Sequence, residues 1–199
     1  MLSIETARWL LIAHAVLAFA AVASCTHWCV YLWPLARGRY VRVRAVKRFG
    51  VIAMALYLVT MVGGLVLYPT YKAKVKLEFL TSSRAVLDDA AAREISAEAL
   101  DARVEGRPAR ALEPGAVLRA TEAAPERAEK IARWFDVKEH WVAVGAILGV
   151  ATLIALLWWD PKRDGKGPVA FVALGAAGTT AVVWLAAIVG LVTAATRSF

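Results

Sequence analysis

The sequence predicts an all-α integral membrane protein: a four-helix bundle with an extramembrane helical hairpin between its second and third spans. Three observations carry that prediction. The 199 residues are 60% hydrophobic, a composition outside the range of soluble globular domains. Four runs, residues 9–33, 51–68, 141–159 and 169–195, approach or exceed the roughly 20 apolar residues needed to cross a hydrocarbon core, and none contains Asp, Glu, Lys or Arg. Aromatic residues, Trp9, Trp28, Tyr31, Trp33, Tyr68, Tyr71, Trp141, Trp158 and Trp159, gather at the ends of the runs, where amphipathic rings meet the headgroups. We read the chain as one membrane domain, 1–199, with the hairpin occupying about 70–139.

The first span opens behind Arg8 and holds His14, Cys25, His27 and Cys29. Val22-Ala23-Ser24-Cys25 resembles a lipoprotein cleavage site, but the apolar run continues through Trp33, too long for a signal h-region, so residues 1–24 are expected in the mature protein. The connection at 34–50 carries Arg37, Arg39, Arg42, Arg44, Lys47 and Arg48 without an acid. The second span includes Gly63-Gly64, a place for a close neighbour, and Pro69 is expected to end it.

Between spans two and three, residues 75–104 and 117–139 are rich in Ala, Glu, Arg and Leu, and Glu113-Pro114-Gly115 separates them with a turn signal. The second arm is expected to run unbroken into the third span, with Pro125 at its start. In that span Gly145 and Gly149 form a GxxxG packing signal, and Gly175 and Gly178 line the fourth. The connection at 160–168 adds Lys162, Arg163 and Lys166. Both basic connections are expected on the cytoplasmic side, which places the termini and the 69–139 segment outside. Lys72, Lys74 and Lys76 oppose this, but they open a segment of nearly balanced charge, too long for the rule to govern. The expected location is a cell membrane of the bacterial inner-membrane type.

Spans free of charge supply no carboxylate relay or ring of charge for a pump, carrier or channel. No GxSxG, HExxH, P-loop or dinucleotide fingerprint points to a soluble-type enzyme, and the clustered basic residues flank lipid rather than nucleic acid. Chemistry therefore centres on three histidines, His14, His27 and His140. Two imidazoles facing across a gap between helices can ligate a b-type haem, and the metal-ligand pair is His14 with His140, both in the outer half. His14 lies five residues inside Trp9, roughly 7 Å deep at the helical rise, whereas His140 sits at the boundary, so their depths differ. Ala18, Ala21 and Cys25 follow on the His14 face and Ala143, Val144, Ile147 and Ala151 on that of His140, leaving room for a macrocycle or equally for another helix.

His27 lies thirteen residues further, roughly 20 Å along the axis, so haem ligation there would need a non-histidine partner such as Met54 or a ligand from a partner chain. Cys25 and Cys29 share one helix face with His27 pointing away, which disfavours a soft-metal site. Tyr71, Lys72, Lys138 and His140 form a polar cluster at the outer interface, able to bind a haem propionate or a quinone headgroup, or simply to anchor the helix ends. The bundle is similar in architecture to small b-type cytochrome subunits, and two functions follow: an electron-transfer subunit holding one haem, or a non-catalytic accessory or assembly subunit of a membrane complex with no cofactor. Lipid, other membrane subunits and a second copy of the chain are the expected partners, with small-residue helix faces as the contact surfaces.

Overall fold

A computed structural model describes residues 2–40, 42–109 and 121–197. Helix α1 is Ile4–Ala36 and opens on Ser3, whose hydroxyl accepts from the Thr6 N–H at 3.1 Å, a side-chain N-cap. Helix α2, Val43–Tyr71, continues through wider π turns at Lys72–Leu80. Helix α3, Ser83–Val104, begins under a Ser82 cap. Helix α4 is Ala124–Trp158, α5 the single turn Pro161–Asp164, and α6 Gly167–Thr196. Among the described residues there is no strand, and four helical stretches are long and apolar enough to cross a membrane. This is a multi-pass membrane protein built as an all-α bundle. Its flanks agree: Phe19, Leu65, Ile147, Leu174 and Leu191 stand exposed around the bundle, an apolar girdle that water would not tolerate.

The four long helices form a ring in which α1 packs on α2 and α6, and α4 on α2 and α6, so that α1 and α4 are diagonal. Small residues set the α4–α6 contact. A Cβ added at Gly149 would lie 2.6 Å from Met54 Sδ and 2.9 Å from the Thr179 methyl, and one at Gly175 would collide with Thr152 Oγ1. Without a water-driven hydrophobic force between helices in lipid, such close backbone approach is what van der Waals packing gains from. Tyr57 fills the interior where α2 meets α4 and donates to the Val142 carbonyl at 2.8 Å.

Leu2 and Arg197 meet the end of the bundle that carries α3. The Leu2 N–H donates to Thr70 Oγ1 at 3.3 Å, Arg197 pairs with Asp89 at 2.8 Å, and Arg93 donates to the Thr196 carbonyl at 2.7 Å. A second apolar cluster there joins Tyr71, Val75, Phe79 and Leu80 to Val86, Ala128 and Ala132. At the opposite end, Lys47 caps α4 by donating to the Leu157 and Trp159 carbonyls at 2.8 and 2.6 Å, a cation on otherwise unpaired helix-terminal acceptors. The adjoining connection is closed by Asp164, which accepts from Arg163 and from the Asp160 N–H; these bonds, that of Arg163 first, draw its carboxyl down to about 2.

The structure corrects three expectations. Pro69 does not end the second helix: it lies inside α2, and the helix continues beyond it into turns closed five residues apart, as in Thr81 N–H to Lys76 O at 3.0 Å. Trp28 is not an interface residue but 0% exposed. Its indole occupies the space left by Gly50, where an added Cβ would sit 2.8 Å from Nε1. The first connection is shorter than 34–50, because α1 runs past Pro34 to Ala36 and α2 begins at Val43. The second arm does run unbroken into the third span, with Pro125 in the first turn of α4. The Glu113-Pro114-Gly115 turn lies outside the described residues.

Candidate ligand-binding cleft

A cleft of about 280 Å³ opens between α1, α2, α4 and α6. Its floor depends on glycine. Gly63 and Gly64 let α2 come close under the His14 ring, since a Cβ would lie 3.4 Å from Nδ1 at Gly63 and 3.2 Å from Cε1 at Gly64. Gly190 does the same for Lys138, whose Nζ would be 3.2 Å from a Cβ there. Glycine is the residue that allows a polar side chain to lie flat on a neighbouring helix backbone.

Three polar groups converge on this apolar lining. His14 Nδ1 and Tyr71 Oη are buried without a hydrogen-bond partner. Lys138 is half-buried, and its ammonium lies over the Phe135 ring at 4.7 Å from the centroid, the contact that holds it. Tyr71, 7% exposed, is stacked on Phe135 with centroids 3.8 Å apart, so one aromatic ring positions both the phenol and the ammonium. No Asp or Glu lines the cleft. Arg197, at its mouth, is engaged by Asp89 and by the Phe79 ring. Lys76, nearby in sequence, is likewise engaged, by Asp136 at 2.5 Å.

Of the residues singled out from the sequence, the structure brings His14, Tyr71 and Lys138 to the cleft and leaves Lys72 and His140 outside it. Lys72 is exposed on the π turns. His140 is exposed, and its Nδ1 is 2.9 Å from the Asp136 carbonyl one turn back. That bond would leave Nε2 as the free ring nitrogen, the form a metal ligand takes, but His140 does not line the cleft that holds His14. His27 is exposed in the same way, Nδ1 being 2.9 Å from the Ala23 carbonyl. Met54 is buried with its thioether against the Gly149 backbone. Cys25 is buried in the core, while Cys29 Sγ is 3.1 Å from Thr180 Oγ1 on α6, whereas the His27 ring lies beside Phe49 of α2 with centroids 6.3 Å apart.

Sequence reasoning missed Phe135, Gly190 and Trp184 as parts of this site. Phe135 and Gly190 carry no chemical group to draw attention, and their role follows from which helices meet. Trp184 sits mid-span at the deep end of the cleft, its Nε1 donating to Thr26 Oγ1 at 3.1 Å. No protein-family model, no curated protein and no solved structure matches the chain.

Proposed function

We propose that this protein is a non-catalytic accessory or assembly subunit of a membrane complex, and that none of its three histidines ligates a haem. The observation that carries this reading is the separation of the two histidines suited to ligation. His14 lies in the cleft over Gly63-Gly64, whereas His140 is exposed on the diagonal helix and outside the cleft lining. Two residues from His140, the Val142 carbonyl is already bonded by Tyr57 of α2 at 2.8 Å. A subunit role is further supported by α3, which presents Ile95, Leu100 and Val104 exposed beyond the apolar spans, since apolar side chains outside lipid mark surfaces that bind protein.

The competing reading, an electron-transfer subunit with one haem between spans one and three, is decided by a reduced-minus-oxidised absorbance spectrum of the purified protein. Our reading expects no b-type band. A band that is lost in His14→Ala and in His140→Ala but kept in His27→Ala would overturn it in favour of the haem subunit, because an axial ligand holds the cofactor directly. A band bleached by His27→Ala alone would also overturn it, and would move the haem to the other end of α1.

A further inference from the structure

The cleft has a polarity along its length that an accessory subunit role does not require. Its cationic and hydroxyl groups, Arg197, Lys138 and Tyr71, lie towards the end of the bundle where the termini meet, whereas Phe19, Val22 and Trp184 line its other end. From Arg197 to Trp184 is thirteen residues of α6, about 20 Å at the helical rise. The gradient matches that of a lipid lying in one leaflet, head at the surface and tail towards the midplane.

We propose that this cleft binds one acyl chain bearing a carboxylate headgroup, with Lys138 pairing the carboxylate and the Tyr71 hydroxyl donating to it. Several independent features point to that occupant. Lys138 has no ion pair or hydrogen bond among the described residues, although the neighbouring cations Lys76 and Arg197 are both paired. An ammonium held in an apolar lining is costly unless an anion meets it; Glu139, the next residue, acts on Lys138 only through space and does not line the cleft. Tyr71 adds a buried hydroxyl with no partner, a donor suited to a carboxylate oxygen. The cavity of about 280 Å³ lies at the lower edge of ligand pockets, which suits one chain rather than the paired tails of a phospholipid. The Gly63, Gly64 and Gly190 contacts keep the floor flat where side chains would close it.

Trp184 provides a reporter at the tail end. The full-length protein in a neutral maltoside detergent is titrated with 9,10-dibromostearate, whose bromines quench a nearby indole, and the Trp184 contribution is isolated by comparison with Trp184→Phe. The expected result is saturable, Trp184-dependent quenching by the free acid, at least about tenfold weaker binding of its methyl ester, and a similar loss in Lys138→Gln with retention in Lys138→Arg, as for removal of one charge-assisted bond. Equal quenching by acid and methyl ester would mean that ordinary bulk lipid fills the cleft, and would overturn the site. Absence of any Trp184-dependent quenching by the acid would do the same. Tighter binding of dibrominated phosphatidic acid than of the free acid would overturn the single-chain occupant. Should Lys138→Gln not fold, the comparison of acid with ester on the unaltered protein decides alone.

Discussion

At the scale of single residues, the bundle depends on what glycine leaves out. The sequence treats Gly175 and Gly178 as equivalent packing positions, but their surroundings differ. A methyl at Gly175 would fall on Thr152 Oγ1, a hydroxyl fixed by its own bond to the Leu148 carbonyl at 2.7 Å, whereas at Gly178 it would meet the end of the Leu148 side chain at 3.0 Å. Gly175→Ala is therefore expected to destabilise the α4–α6 contact by about 1–3 kcal/mol, the range for overpacking a filled interior, and Gly178→Ala by clearly less. Unfolding of both variants by SDS titration in mixed micelles, followed by circular dichroism, checks the order. Thr152→Ala, by removing the hydroxyl, should recover part of the Gly175→Ala loss. Equal effects of the two glycine substitutions would mean that the contact yields more readily than its geometry implies. Trp28 illustrates the same dependence in reverse: hydropathy placed it at the interface, yet the void at Gly50, on another helix, draws it into the core. Sequence position reports depth along the helix axis, not which neighbour is small.

At the scale of elements, the four spans, the helical character of the long segment and the unbroken run of α4 into the third span were legible, because each rests on a long local pattern of apolarity or helix-forming residues. The fate of Pro69 was not. Proline removes one backbone donor, but whether the helix stops or widens depends on what anchors the turns beyond it, and here that anchor is distant in sequence. Tyr71 stacks on Phe135 and Lys76 pairs with Asp136, both on α4. Half of the cleft was legible for the same reason: His14, Tyr71 and Lys138 bear recognisable groups, while their meeting is a property of the ring of helices. The anchor has a measurable consequence. Alanine substitutions at Tyr71 and Phe135, alone and together, should give a coupling of about 0.5–1.5 kcal/mol in a double-mutant cycle, the contribution of an aromatic pair beyond buried area. A coupling near zero would leave the Lys76–Asp136 pair as the tie between the π turns and α4. That pair is partly exposed and of a kind that contributes little and weakens with salt.

At the scale of the whole molecule, the ring of four spans brings Leu2, Arg197 and α3 to one end, and the connections rich in Arg and Lys to the other. Contacts tie the first end together: Arg197 pairs with the α3 acid Asp89 at 2.8 Å and Arg93 of α3 donates to the Thr196 carbonyl at 2.7 Å, so α3 cannot lie across the membrane from the end of the chain's last helix. Which end faces the cytoplasm is a question of insertion energetics. The basic end carries Arg37, Arg39 and Arg42 in a short connection and Arg44, Lys47 and Arg48 in the first turns of α2, where positive charge is retained most strongly on the inner side, whereas long segments of mixed charge translocate largely regardless of their lysines. We therefore expect the end bearing α3 to face outward. A single cysteine in place of Ala90, on α3 and introduced after replacing Cys25 and Cys29 by Ala, should react in intact cells with a membrane-impermeant maleimide, and one in place of Arg39 should react only after the membrane is opened. The opposite pattern would reverse the orientation while leaving the bundle unchanged. It would also move the carboxylate end of the cleft to the inner leaflet, since Lys138 and Arg197 lie at the same end of the ring as α3.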